Sequence, residues 1–192
     1  MTPIGGNAIL VSNWAAALKA TAYFFGEAMS DKIPMTRAGH QKLMDELKQL
    51  KTVERPAIVR EIEEARAHGD LSENAEYKFA KEKQGHIEGR IQQVEDWLAR
   101  AEVIDVSRLK GDKVVFGATV ALLHLDTAKT LKYQIVGEVE ADPKQGLISV
   151  NSPLARSLIG REEGDEVVVR TPGGERVYEI LEVEFSEAEI GA

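Results

Sequence analysis

The sequence predicts an α+β fold in which a long antiparallel α-helical coiled-coil hairpin is followed by a small antiparallel β domain. Two observations carry this prediction. On both sides of a short polar stretch, apolar residues between Leu43 and Ala101 recur at steps of three and four with one change of register, which is the spacing of a coiled coil. Beyond Ala101 this period gives way to short β-rich runs separated by turn residues.

The composition excludes several classes of protein. The chain has 192 residues with no cysteine, which removes disulfide scaffolds, thiolate metal sites and cysteine nucleophiles. Its net charge is −8 and the acid excess lies in the C-terminal part, so the whole surface does not favour non-specific binding of nucleic acid. No apolar run approaches the length of a bilayer span, and we expect a cytoplasmic protein with no membrane partner.

The first 28 residues differ from the rest of the chain. They are almost uncharged, and the first lysine, Lys19, follows an apolar run instead of preceding it as in a secretory signal. The residues from Met29 to Lys32 read like a second start. We expect the native protein to begin at Met29, and residues 1–32 to be a disordered extension.

The first long helix begins near Thr36, whose hydroxyl is suited to cap it. Its apolar residues form two groups whose registers differ by one step: Leu43, Leu47 and Leu50, then Ile58, Ile62 and Ala65. Proline removes an amide and crowds the preceding turn, so Pro56 predicts a kink near Val53–Pro56 at the change of register.

The second helix carries an unbroken series at this spacing, apolar at every position but Gln84: Tyr77, Ala80, Gln84, Ile87, Ile91, Val94, Leu98 and Ala101. Two such helices joined by about seven residues fold back on each other as an antiparallel hairpin. Residues 68–74 therefore lie at its far tip. Some 30 residues per arm give a length of about 45 Å, which is more than stability requires and suggests that reach matters.

Two acids three residues apart, Asp70 and Glu73, stand in this tip. Their spacing is that of a capping box, with Asp70 as N-cap and Gly69 ending the preceding helix. Alternatively, two carboxylates on an exposed tip could hold Mg²⁺, with the other ligands supplied by water, a partner protein or substrate phosphates. Spacing alone leaves both interpretations open, and capping is the more common of them.

Basic residues of the hairpin form two groups: Lys48, Lys51 and Arg55 on the first helix, and Arg66, Lys78 and Lys81 near the tip. One interpretation is a solvated face with ion pairs inside each helix. The other is a guide for single-stranded RNA, with Tyr77 or Phe79 available for stacking, although Tyr77 also falls in the apolar series.

The C-terminal part predicts short strands at Lys113–Phe116, Ala118–Leu125, Lys132–Val136, Leu147–Val150, Glu166–Arg170 and Arg176–Phe185. Ser152 and Pro153 open a short helix that Gly160 ends. No histidine has metal-ligand spacing, no serine has a nucleophile-elbow context, and no glycine motif cradles phosphate. The residues thus form no self-contained active site.

Several segments stand out as extended motifs: Ala65–Tyr77, Ile33–Thr36, Ile148–Ala155, Leu158–Gly160 and Thr171–Glu175. Together they resemble the Gre family of bacterial transcript cleavage factors, and the resemblance runs from Ile33 to Phe185. The glycines at Gly160 and Gly173–Gly174 favour the GreA branch of that family.

The resemblance implies a coiled-coil hairpin at residues 33–106, an FKBP-like domain at 110–187 and a tail at 188–192. It implies that the chain is an accessory factor and not an enzyme. By the same resemblance, we expect its C-terminal domain to dock on RNA polymerase while the hairpin enters the secondary channel. There Asp70 and Glu73 are expected to coordinate a Mg²⁺ shared with the polymerase and to help cut backtracked RNA near its 3′ end. We expect the chain alone to bind no cofactor.

The remaining tip residues, Leu71, Ser72 and Asn74, are expected to shape the loop or to touch polymerase. Two alternatives compete with a cleavage factor. One is an inhibitor of the same fold that blocks the channel. The other is a coiled-coil adaptor in which the tip acids only cap a helix.

Overall fold

The computed structural model describes residues 32–67, 75–109, 111–171 and 174–185. They divide into two units, a helical unit at Ala38–Ala101 and a β unit made of the other described residues. The proposed start at Met29, the extension apart from Lys32, and the tail at 188–192 lie outside the described residues.

The helical unit is a hairpin, as predicted. Its first arm consists of α1 (Arg37–Gln49), a π-helix (Leu50–Glu54) and α2 (Arg55–Ala67), and its second arm is α3 (Ala75–Ala99). The core between the arms contains apolar residues from both: Leu50, Ile58 and Ile62, with Ala80, Ile87 and Ile91. Within the described ranges, no helix has both the length and the apolar character to cross a membrane.

The change of apolar register in the first arm coincides with the π-helix. Leu50 and Ile58 are eight residues apart, one more than two turns of a coiled coil need. The Arg55 amide donates to the Leu50 carbonyl five residues back, and the extra residue is taken up in this wider turn. Pro56 favours it, because a proline ring crowds the carbonyl four residues earlier. The predicted irregularity is therefore a π-helical turn that begins at Leu50, before the predicted Val53.

The β unit contains a five-stranded sheet. Its strands are β3 (Thr119–His124), β4 (Lys129–Val136), β5 (Leu147–Ser149), β6 (Glu166–Thr171) and β7 (Gly174–Glu184). They lie in the order β5–β4–β3–β7–β6. All neighbours are antiparallel except β4 and β5, which are parallel. The α+β prediction is thus confirmed, while the FKBP-like description stays a prediction.

A short helix, α4 (Pro153–Leu158), packs against one face of this sheet. The Ser152 side chain accepts a hydrogen bond from the Ala155 amide at 3.2 Å, and Gly160 has a φ of +83° beyond the end of the helix. Both features match the predicted cap and stop. Ala155 and Leu158 are fully buried, so α4 closes the core over the sheet.

Two predicted strands differ from the structure by more than two residues. Strand β4 starts at Lys129 instead of Lys132, because Lys129 pairs with His124 and closes a hairpin through polar residues that carry no apolar signal. The predicted strand at Lys113–Phe116 is reduced to a single bridge between Lys113 and Glu162.

Two further strands, β1 (Ile33–Thr36) and β2 (Ala101–Ile104), pair with each other. The sequence predicts that residues 33–106 form one hairpin domain. In the structure, β1 and the residues of β2 from Glu102 onward group with the β unit. The reason is bonding at long range: the Thr36 amide donates to Oε1 of Glu140 at 2.9 Å, and the Thr36 hydroxyl donates to Oε2. Thr36 directly precedes α1, and its role as the N-cap of that helix stays a prediction.

Candidate functional site

Among the described residues, four ion pairs join the two arms of the hairpin: Glu46–Arg90, Lys51–Glu95, Arg55–Glu88 and Glu61–Lys83. From Lys51 to Glu61 the partners run backwards from Glu95 to Lys83, as antiparallel arms require. The charged side chains are 34–47% exposed, so solvent and salt screen each pair strongly. Their joint effect is to specify how the two arms align.

These pairs change the interpretation of the basic residues on the first arm. We expected ion pairs within each helix or a surface for RNA, but Lys51 and Arg55 pair with Glu95 and Glu88 on the opposite arm. The hydrogen bond to Glu88 raises the pKa of the Arg55 guanidinium, which therefore stays charged. The sequence pattern did not reveal these partners, because opposite arms are brought together only by folding.

The basic residues near the tip lie on both arms. Arg66 is in the last turn of α2, and its guanidinium carbon is 5.9 Å from the centroid of the Tyr77 ring on α3. That distance allows a cation–π interaction across the arms. Lys78 and Lys81 are exposed and three residues apart on α3, and therefore lie on one side of that helix. Lys81 Nζ also donates to Gln84 Oε1 at 2.7 Å.

The two aromatic residues beside the tip have different surroundings. Tyr77 is half-buried and packs against the core between the arms, which matches its place in the apolar series. The side chain of Phe79 is 67% exposed. Of the two rings that the sequence made available for stacking, Phe79 is the one that faces solvent.

The predicted tip residues, Asp70, Glu73, Leu71, Ser72 and Asn74, lie outside the described residues. The structure does show the helix ends that flank them, at Ala67 and Ala75. Elsewhere in the described ranges, no three His, Asp or Glu side chains gather so as to hold a metal ion. Two carboxylates suit a hard cation such as Mg²⁺ in chemistry, but they complete only part of its octahedral oxygen shell.

Comparisons with known proteins match most of the chain. The family model described as transcription elongation factor, N-terminal, matches residues 33–103, and the model described as transcription elongation factor, GreA/GreB, C-term, matches residues 109–185. A protein of Anaeromyxobacter sp. (strain K) called transcription elongation factor GreA is 65% identical over 83% of this chain and 96% of its own length. The chain belongs to the GreA/GreB family of transcription elongation factors. The predicted resemblance is confirmed.

Two further relatives of the same name match this chain over a similar range. Proteins of the same name from Phenylobacterium zucineum and Nitrobacter winogradskyi are 61% and 60% identical, over 81% and 82% of this chain and 99% of their own lengths. Among solved structures, GreA factor homolog 1 of Thermus thermophilus is 26% identical, with a TM-score of 0.37 over 80% of this chain and 99% of that one. The matched segments of this family include residues 68–74, where the two tip acids stand.

Proposed function

We propose that this transcription elongation factor binds RNA polymerase and inserts its hairpin into the secondary channel. There it stimulates the polymerase's own cleavage of backtracked RNA and so releases arrested complexes. The observation that carries the proposal is a long, ion-paired hairpin of the GreA/GreB family whose end bears Asp70 and Glu73. The chain acts in the cytoplasm as an accessory factor, and the catalytic centre is that of the polymerase.

The dimensions of the hairpin support this role. At about 1.5 Å per residue, the first arm from Arg37 to Ala67 is about 46 Å long and α3 about 37 Å. A continuous apolar core and the four ion pairs between the arms hold this length as one unit. Such a hairpin keeps its structure without a partner protein. It can therefore place two acids deep inside a narrow channel.

The chemistry of the tip follows from its two carboxylates. Asp70 and Glu73 would supply anionic oxygen ligands to a Mg²⁺ whose other ligands come from polymerase, water and RNA phosphate. When bound, such an ion lowers the pKa of a coordinated water and offsets the charge that develops on the phosphate. Leu71, Ser72 and Asn74 hold the loop in place or touch the polymerase.

The basic residues beside the tip have a secondary role in this proposal. Arg66, Lys78 and Lys81 would attract the phosphates of the RNA 3′ end. The exposed ring of Phe79 offers a platform on which an unpaired base can stack.

The test is RNA cleavage in a stalled, backtracked polymerase complex. We would compare the wild type with Asp70→Asn and Glu73→Gln, and measure binding to polymerase separately. Asparagine caps a helix as well as aspartate does, so Asp70→Asn keeps the capping function and removes the charge of the metal ligand. Glu63→Gln, an exposed acid in the last turns of α2, is the matched control.

The expected result is loss of cleavage with binding retained in both tip variants, and normal cleavage with normal binding in Glu63→Gln. Normal cleavage by Asp70→Asn would leave the acids as helix caps and favour an adaptor. A wild type that binds polymerase without stimulating cleavage would instead be an inhibitor with the same fold.

A further inference from the structure

The two edges of the five-stranded sheet differ in their protection. The β5 edge is only three residues long, and the backbone of its first residue, Leu147, is already bonded to Asp142. The β6 edge runs for six residues from Glu166 to Thr171 and is bonded to β7 on one side. Across the described part of the chain, no backbone hydrogen bond joins the other side of β6 to anything.

The direction of the β6 backbone follows from its bonding to β7. The Ile180 amide donates to the Asp165 carbonyl at 3.0 Å. Since bonded and non-bonded pairs alternate in an antiparallel ladder, Glu166, Val168 and Arg170 direct their N–H and C=O groups to the outer edge. This edge therefore offers a complete set of donors and acceptors for another strand.

The side chains of β6 also favour pairing. Val167 and Val169 are each 3% exposed and face the core, so Glu166, Val168 and Arg170 share the opposite face. Val168 is 53% exposed. Natural sheets protect their edges with proline, lysine, bulges or charges that point inward, and three consecutive valines provide none of these. Valine is also among the best strand-forming residues.

We propose that β6 pairs antiparallel with β6 of a second copy of this chain, about a twofold axis through Val168. In that register Val168 faces its own equivalent, and Glu166 of each copy faces Arg170 of the other. The strand is thus complementary to itself in charge as well as in its backbone donors and acceptors, and opposite charges directly across two strands are stabilising.

The charges within one copy support this register independently. Glu166 stands opposite Glu179 of β7 in the sheet, and like charges in that position repel. A guanidinium from a second copy would offset this repulsion. Arg170 pairs with Glu175 in its own chain at 2.9 Å, but these side chains are 86% and 62% exposed. So weak a pair leaves Arg170 able to bind a second carboxylate.

The proposed dimer is weak. One strand pair buries much less than the roughly 1,200–2,000 Å² of a standard stable interface, so we expect a dissociation constant that is micromolar or higher. The experiment is sedimentation equilibrium of the full chain over concentrations that bracket this range.

Charge exchange gives the sharpest test. Arg170→Glu places two acids opposite each other at both ends of the strand pair, and should raise the dissociation constant roughly tenfold or more. Combining it with Glu166→Arg restores opposite charges at both positions and should restore the dimer. Val168→Pro removes the central outward amide and should abolish the dimer. The control is Leu181→Lys, which removes an exposed apolar side chain from β7, away from the edge.

A wild type that is monomeric at every concentration would overturn the proposal. So would a double variant that stays monomeric although circular dichroism shows it folded, or a dimer that survives Val168→Pro. Binding of β6 to a strand of another protein, with no self-association, would also exclude the second copy as its partner.

Discussion

Thr36 and Glu140 are 104 residues apart in the chain, and two hydrogen bonds join them: the amide and the hydroxyl of Thr36 both donate to the Glu140 carboxylate. The Gly137 amide donates to the same carboxylate at 3.2 Å. This arrangement ties β1, directly before the first helix, to the β unit. Gly137 allows the close approach, because a Cβ there would lie 2.2 Å from the Pro34 carbonyl oxygen.

Removing the Glu140 carboxylate should destabilise the β unit. In Glu140→Ala, the amides of Thr36 and Gly137 lose their acceptor, and a buried donor without a partner costs about 1–3 kcal/mol. In Glu140→Gln, the amide oxygen can still accept from both and the amide nitrogen can donate to the Thr36 hydroxyl, so we expect a smaller loss. Urea unfolding of both variants measures the difference. Equal losses of unfolding free energy in Glu140→Ala and Glu140→Gln would show that the carboxylate contributes through its charge and not through its hydrogen bonds.

The same residue should leave a signature in the pH dependence of stability. Burial raises the pKa of the Glu140 carboxyl, and the hydrogen bonds from Thr36 and Gly137 only partly offset this. The folded state thus binds the proton more tightly than the unfolded state. The resulting stability is fully present below the ordinary carboxyl pKa and is lost as pH rises through the raised pKa.

The measurement is the free energy of unfolding against pH for the wild type and Glu140→Gln. The difference between the two proteins cancels the contributions of other carboxylates. We expect the free energy of unfolding of Glu140→Gln to increase relative to that of the wild type as pH rises from the ordinary carboxyl pKa through the raised pKa of Glu140. A constant difference would contradict a raised pKa.

Two glycines in α3, Gly85 and Gly89, should limit the stability of the hairpin. Both are exposed in the helix interior, and a Cβ at either would meet no atom within 4 Å. Replacing each with alanine should therefore stabilise the fold by about 0.5–1 kcal/mol, because glycine loses more backbone freedom on folding. Gly137→Ala is the contrasting control and should destabilise. Thermal unfolding checks the sign of all three changes.

Arg90 should not be replaceable by lysine. Its guanidinium makes two hydrogen bonds to Glu46, at 2.6 and 3.0 Å, and lies 5.0 Å from the centroid of the Trp97 ring. Arg90→Lys keeps the charge but loses the paired geometry and the stacking, so we expect a loss of about 1 kcal/mol. Arg60→Lys, at an exposed arginine of α2, should cost nothing measurable in the same unfolding assay. Equal effects at the two positions would mean that charge alone matters.

Much of the helical unit could be predicted because its signals are local. The eight-residue step from Leu50 to Ile58, next to Pro56, located the irregular turn within a few residues. Ser152 and Gly160 similarly marked α4, since a cap and a stop act on neighbouring backbone groups. The paired acids Asp70 and Glu73 stood out by spacing, but spacing alone could not choose between capping and metal binding.

The sequence by itself determined the hairpin, the β unit and the family, because periodicity, caps and long motifs depend on residues that are close together in the chain. Only the tertiary structure decided that Glu140 binds Thr36, that Lys51 and Arg55 pair with the opposite arm, and that β6 is an edge strand with no backbone bond on its outer side among the described residues. Each of these depends on groups far apart in the chain. The packing of the helices and strands determines which of these groups meet, and no local sequence pattern indicates it.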